Sequence, residues 1–452
     1  MKISFLDDEP EIFPNQYGGK ARTILNLAQS FAKLPKVEKV SILSRTIGYS
    51  ENEFEWNGVH FKKLSDYGII RQIVDESDST DVLNVHTCSF TFPYLENRKA
   101  ILVNHLHDII FATVDAGSHL DKAIGGKWDA IITPSDFAAT TLKNATWWNN
   151  IYEKTHVLPR GIDKNKFFPA EKKRALEKIV SLGHPQITKK SPILFFPHRL
   201  DSGKGEYLLN QIEKILIKKY PNLLILTTAS HKSSSKYIYN IGWIESDNLN
   251  AFYSVSDVII ATSLLPESFS QVCLEAIACN IPVVSFKFGN LFDLSNKVPA
   301  IKSCEPDADN IARTIEEILS QSDATANNLT ISREIINSDY SLDIIAKQYL
   351  ELYEAIIQQK KSDKGYRFVS NVDRQKKRYF SSPFLAIYGR KIYLSENKEL
   401  QKFTLSEIEV DIIKTCKTVK IIEEIVNSMN TSDSIIQKTI KKLVKNKLII
   451  EG

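Results

Sequence analysis

Apolar residues along the chain fall into short continuous runs, separated by stretches in which they recur every three or four positions. That alternation predicts strands buried on both faces and joined by amphipathic helices. Lys2–Leu6 opens the series, followed by a helical face at Ile24, Leu25, Leu27, Ala28 and Phe31. Strand-like runs follow at Val40–Leu43, Val82–Val85, Ile101–Val103 and Ala130–Ile132, and Thr133–Ser135 turns into a helical Phe137–Leu142. Residues 170–190 are charged and read as a connecting helix and linker. A second series begins at Ile193–Pro197, with a helix carrying Tyr207, Leu208 and Ile212, a strand at Leu223–Thr227 and another ending in Gly242-Trp243-Ile244. Leu249, Phe252 and Tyr253 mark a short helix, and two long helices are expected at Ala308–Leu319 and Leu342–Gln358.

The most informative unit is 258–286. Val258–Thr262 and Ile281–Phe286 read as buried parallel strands, with Phe269, Val272, Cys273, Ala276 and Ile277 at helical spacing between them. A strand–helix–strand unit places a strand's carboxyl end and a helix's amino end at one mouth, where N–H groups and the helix dipole favour phosphate. Glu267 lies in the loop at that mouth. Glu275 follows eight residues later, about 12 Å along a helix that rises about 1.5 Å per residue. One carboxylate would meet the near end of an elongated ligand and the other its far end. A loop Glu and a solvated helix Glu would show the same spacing, but Glu275 opens an apolar face, Ala276–Ala278, where a solvated Glu is out of place. Upstream, Ile193–Pro197 delivers His198-Arg199-Leu200-Asp201-Ser202-Gly203-Lys204-Gly205 to the same kind of mouth. Arg199 and Lys204 there suit a diphosphate, one as a planar fork and the other as a point charge.

Composition adds limits. At 452 residues, with 43% hydrophobic and 25% charged, the chain is expected to be globular with two or three domains. The net charge of +4 names no partner. Five cysteines are scattered without metal spacing and read as reduced, and the acidic turn in MKISFLDDEP is unlike a secretory signal. No run reaches the roughly 18 apolar residues of a membrane span, so a cytoplasmic location is expected. Asp307-Ala308-Asp309 reads as a helix cap, and no metal ligand set is expected.

The stretch PESFSQVCLEAIACNIPVV resembles the E-x7-E signature of the retaining family 4 glycosyltransferases. That resemblance implies the GT-B fold, two doubly wound Rossmann-like α/β domains, and transfer of a sugar from a nucleoside diphosphate donor, UDP-linked, with retention and without a metal or other cofactor. It assigns Glu267 to the transferred sugar and Glu275 to the ribose. Phe269, Ser270 and Gln271 fall to the donor as well, with Ser270 standing where the family has Gly. Arg199 and Lys204 match the diphosphate grip, and Gly242-Trp243-Ile244 the place where the base packs. Gly18 and Gly19, after the first strand, match a glycine pair bordering the cleft. NHLHD resembles the family's histidine segment and makes His107 the donor-sugar contact, with His86 and His105 nearby. HVLPRGIDKNKFFP matches the close of the first domain, with Arg160 where Asn is common. The implied boundaries are 1–169 for the acceptor-side domain, 170–190 for the linker and 191–365 for the nucleotide domain with a return helix.

Residues 366–452 form a third domain of different character, net +7 against −3 for the rest. A hairpin-like AIYGRKIYLS precedes helices at Ser406–Cys416, Val419–Met429 and Ser432–Lys445 and a last strand at Leu448–Ile450. The order is winged-helix-like. It resembles either a DNA-reading module or the PqqD-like element that captures leader peptides, whose hairpin offers a strand edge at Leu385–Leu394. Lys438, Lys441, Lys442 and Lys445 fit phosphate contacts or a solvated face. The resulting expectation is a glycosyltransferase acting on a peptide or protein recruited by this domain. The alternatives are a small-molecule or lipid glycosyltransferase with a structural tail, and a nucleotide-sugar sensor with a nucleic-acid-binding tail.

Overall fold

The computed structural model describes all residues except 8–18, 46–51, 66–67, 87–94, 96–97, 108, 110–127, 146–152, 188–190, 199–201, 229–234, 363–375, 397–398 and 452. Gly18 and Arg199 therefore lie outside the described residues. The chain divides into two compact units, Met1–Gly161 with Tyr340–Lys377, and Ile162–Asp339 with Arg378–Gly452.

In the first unit, eight strands form one sheet: β1 (Lys2–Asp7), β2 (Lys39–Ser44), β3 (Glu53–Trp56), β4 (Val59–Lys63), β5 (Val82–His86), β6 (Ile101–His105), β7 (Ala130–Thr133) and β8 (Thr155–Val157). Their order is β3-β4-β2-β1-β5-β6-β7-β8, parallel throughout except for the β3–β4 hairpin. Central strands are buried along their whole length, as parallel strands covered by helices must be. Helix Gly19–Phe31 packs Ile24, Leu25, Ala28 and Phe31 against one face. The same core takes Ile345, Ala346, Tyr349, Tyr353 and Ile356 from helix Leu342–Ser362, so this late helix completes the first unit.

The second unit holds β9 (Ile193–Phe196), β10 (Leu224–Thr227), β11 (Ile238–Asn240), β12 (Val258–Ala261), β13 (Val283–Ser285) and β14 (Ile301–Ser303). All are parallel, in the order β11-β10-β9-β12-β13-β14. This doubly wound order reverses direction between β9 and β12, and the crevice at such a reversal is where open α/β sheets bind ligands. The two strands at the reversal deliver the Lys204 loop and the Glu267 loop. In the first sheet the corresponding reversal lies between β1 and β5.

Two three-stranded antiparallel sheets follow in the C-terminal module, β19-β15-β20 and β16-β17-β18. Their strands are β15 (Arg378–Ser381), β16 (Leu385–Tyr388), β17 (Lys391–Glu396), β18 (Glu399–Thr404), β19 (Lys420–Ile421) and β20 (Ile449–Glu451). Helices Glu407–Thr415, Ile422–Asn427 and Asp433–Lys445 lie where the sequence predicts them. The sheet β16-β17-β18 is apolar on both faces. Ile392 and Leu394 join the core of the module's own helices, whereas Ala386 and Tyr393 join the core of the second parallel sheet with Val284, Phe286 and Phe288. The module is thus built onto that domain, not tethered beside it. Ile392 sits on the central strand, paired with Ile387 on one side and Phe403 on the other. Its backbone is not at a free edge. Among the described residues, no helix is long and apolar enough to cross a membrane.

Candidate active site

Loops leaving β9 and β12 are stitched together at the reversal point. The N–H groups of Leu264 and Leu265 both donate to the Gly203 carbonyl, at 2.8 and 3.2 Å. Gly205 has φ +80°, and a Cβ there would stand 2.6 Å from the Thr262 carbonyl oxygen, so the close approach needs glycine. The result brings two predicted residues into contact: Lys204 Nζ donates to Glu267 Oε1 at 2.6 Å. Burial pushes the Glu267 carboxyl up, but the Lys204 ammonium against it outweighs burial and holds the group below its ordinary value. The Glu267 backbone is fixed as firmly. It forms a parallel bridge to Gly289, whose φ is +60° and whose Cβ would meet Glu267 N and O at 2.6 Å, and its carbonyl accepts from Asn290 N at 2.8 Å.

Helix Gln271–Ala278 begins two residues later than the apolar spacing predicts, leaving Phe269 buried in the loop before it. Ser270 stands at the N-cap, but its hydroxyl donates to Cys273 Sγ at 3.3 Å instead of capping a backbone amide. Glu275 is only 2% exposed and accepts from the Tyr253 hydroxyl at 2.9 Å. Sequence reasoning placed Tyr253 on an apolar helix and missed this contact, since nothing local marks which core tyrosine turns its hydroxyl to a carboxylate. Cys273 is buried beside the site, its thiol pushed up to about 12 by burial, and so is no nucleophile. Gly242, Trp243 and Ile244 follow β11, two strands from β9, with Trp243 64% exposed. His198, buried at the end of β9, is held neutral by burial, its value lowered to about 4.

At the reversal in the first sheet the chemistry is different. Asp7, at the end of β1, is fully buried and takes an ion pair from Lys20 at 2.6 Å, one residue after Gly19 starts its helix. His86 and His105 end neighbouring strands and stack at 4.3 Å. His107 Nε2 lies 2.6 Å from His86 Nδ1. Arg160 donates to the His107 carbonyl at 2.8 Å and stands 3.2 Å from His107 Nδ1. A guanidinium only donates, so Nδ1 of His107 is the acceptor, its proton sits on Nε2, and His86 Nδ1 accepts it. With both ring nitrogens of His107 engaged, a sugar contact there requires one of these bonds to open. Burial pushes all three imidazoles down, His105 to about 3, and Arg160 adds to the effect. The three rings bring one nitrogen each within 4.8 Å. Interplanar angles of 25°, 31° and 23° leave the rings nearly parallel. Asn84, the polar residue inside β5, accepts from the Tyr353 hydroxyl at 2.6 Å and faces His105 Nε2 at 3.2 Å.

In the C-terminal module Lys438, Lys441 and Lys445 are exposed, and Lys442 pairs with Glu409.

Residues 191–321 match the family Glycosyl transferases group 1. Spore coat protein SA of Bacillus subtilis is 22% identical over 383 residues, covering 78% of this chain and 99% of that protein. An uncharacterized glycosyltransferase of Haemophilus influenzae is 23% identical over 366 residues, 74% of this chain and 95% of that protein. Among solved structures, sucrose-phosphate synthase of Thermosynechococcus elongatus superposes with a TM-score of 0.65 at 16% identity, covering 79% of this chain and 100% of that one. Anabaena HepE in complex with UDP-glucose does so with a TM-score of 0.63 at 17% identity, covering 78% and 100%. The fold is therefore GT-B, two Rossmann-like domains with a small C-terminal domain added.

Proposed function

We propose that the chain transfers a sugar from a nucleoside diphosphate sugar to a peptide or protein acceptor. The observation that carries the transfer is the Lys204–Glu267 pair at the β9/β12 reversal, with buried Glu275 on the helix Gln271–Ala278 that follows. The sugar C1–oxygen bond to the diphosphate breaks, and the bonding pair leaves with the phosphate. Lys204, Arg199 and the amino end of helix Gln271–Ala278 meet the charge that develops on it, so no divalent cation is called for. Glu267 faces the sugar, where oxocarbenium character develops, and Glu275 takes the ribose. Retention follows the family resemblance, and no protein nucleophile is assigned. A UDP-linked donor is favoured because the similar fold of HepE is solved with UDP-glucose. The chemistry suits a cytoplasmic enzyme, where nucleotide sugars are made.

The acceptor reading rests on the C-terminal module. Its strand and helix order is winged-helix-like and resembles the PqqD-like peptide reader, and β18 forms an outer strand of its sheet with largely exposed residues. An extended peptide could add to such an edge by backbone pairing. A second reading also has an observation behind it. Ala386 and Tyr393 lie in the nucleotide domain's core, which suits a structural tail on a small-molecule transferase. Intact-mass analysis of peptides co-produced with the full chain separates the two. A gain of one hexose or N-acetylhexosamine supports the peptide acceptor, and unmodified peptides alongside turnover on a small sugar alcohol support the tail. A steep loss of duplex DNA binding with salt, governed by Lys438 and Lys441, would instead support the sensor.

A further inference from the structure

We infer that Tyr388 of the C-terminal module is a positioning residue for Glu267, so that the module sets the geometry of the transfer site; the inference rests on the reading of Glu267 as the sugar-facing carboxylate. The Tyr388 hydroxyl accepts a hydrogen bond from the backbone N–H of Lys287 at 2.9 Å, and the Lys287 ammonium lies 5.4 Å over the Tyr388 ring. Lys287 is half-buried between Phe286 and Phe288, both fully buried in the core that also takes Ala386 and Tyr393. Two residues on, Gly289 bridges Glu267 at a distance that admits no side chain, and Asn290 N–H donates to the Glu267 carbonyl. The series Tyr388, Lys287, Gly289–Asn290, Glu267, Lys204 is continuous and lies wholly within one compact unit.

Each link has a reason to be stiff. The Lys287 amide leaves β13 at its carboxyl end, where the sheet no longer supplies an acceptor, and the phenol supplies one. Burial pushes the Tyr388 phenol well up, so it stays neutral throughout the working pH range. Gly289 and Asn290 are tied to the Glu267 backbone by a bridge and a hydrogen bond, so a shift at Lys287 is passed to Glu267 or breaks those ties. Two other polar contacts of the module take a different route. Lys391 and the Tyr393 hydroxyl both go to Glu305, at 2.8 Å each, in the segment after β14. These fasten the module without touching the 286–290 segment.

Tyr388→Phe in the full chain tests the inference, with Tyr393→Phe as the matched control. Both remove one hydroxyl and keep the ring packing. Expected for Tyr388→Phe is about a tenfold fall in kcat for release of UDP from UDP-glucose, of the order one lost hydrogen bond allows. UDP affinity should stay unchanged, melting temperature should fall by no more than a few degrees, and amide exchange should quicken at Asn290 and across 264–270. Tyr393→Phe should leave kcat and that exchange unaltered. Unchanged kcat in Tyr388→Phe, equal losses in the two variants, or faster exchange confined to 286–288 would overturn the inference. Should the wild-type chain turn over no nucleotide sugar, the functional reading fails, and the exchange pattern alone decides the positioning role.

Discussion

The two sheet reversals have the same topology and each sets a lysine against a carboxylate, Lys20 against Asp7 and Lys204 against Glu267, but the groups around the two pairs differ. The first gathers His86, His105 and His107 as neutral stacked rings beside the Arg160 guanidinium, held by their own hydrogen bonds, with the Lys20–Asp7 pair at the neighbouring strand end. The second sets a lysine against a glutamate, both part-exposed to the mouth, with a second carboxylate buried behind. A doubly wound sheet supplies a mouth at each reversal, but only the loop sequences decide what chemistry fills it. Fixed opposite charges suit a phosphate leaving group and a developing cation. Neutral rings suit orientation of an uncharged sugar or acceptor.

The sharpest way to break this contrast is to remove the charge on Glu267. Glu267→Gln should lower kcat for sugar transfer by about a hundredfold, an effect of the size seen when one group that stabilises transition-state charge is lost. Affinity for UDP should stay within about threefold. Loss of UDP affinity with kcat preserved would reverse the roles of the two glutamates. Glu275→Gln should do the opposite, weakening UDP by about tenfold through one charge-assisted bond to the ribose, as read by calorimetry.

A smaller effect distinguishes the neutral cluster. The folded chain holds His105 neutral down to about pH 3, while an unfolded histidine titrates near 6.5. The unfolded state therefore binds more protons below about pH 6.5, and stability is full above that value and declines beneath it. At pH 5.5 His105 alone should cost about 1.4 kcal/mol. Melting curves at pH 7.5 and 5.5 should show a drop that shrinks in His105→Gln. An identical drop in both chains would mean that His105 is charged in the fold. The Lys204–Glu267 pair behaves differently on acidification, because the Glu267 carboxyl is held low. Its contribution is present above the ordinary carboxylate range and fades only as pH falls through the depressed value.

Much of the second reversal could be read directly. VIIAT and IPVV are continuous apolar runs, and a carboxylate or lysine at their ends has nowhere to go but the mouth. The first was harder, since Arg160 joins His107 across 53 positions and Tyr353 joins Asn84 across 269. No local pattern encodes such pairs. A polar Asn inside the strand VLNVH was the one hint that something would have to satisfy it. Other elements escaped for local reasons. The β3–β4 hairpin turns at Asn57-Gly58, a strong turn signal that went unread because its strands are short and half-polar. Helix Ser322–Asp339 buries only Leu329, Ser332 and Ile336, too sparse a stripe to stand out by period. The docking of β16-β17-β18 on the nucleotide domain was latent in AIYGRKIYLS, where Ile and Leu alternate with Ala and Tyr and both faces are apolar.

Calorimetric titration of UDP into the full chain and its Lys204→Ala variant, with a chelator present, tests the central claim most directly. The account predicts binding to the wild type without added metal. It predicts a loss of about 1.5–3 kcal/mol in the variant, the worth of a hydrogen bond to a charged group. Equal affinity in the two chains, or binding that vanishes with the chelator, would contradict a diphosphate site built on Lys204 at the β9/β12 reversal.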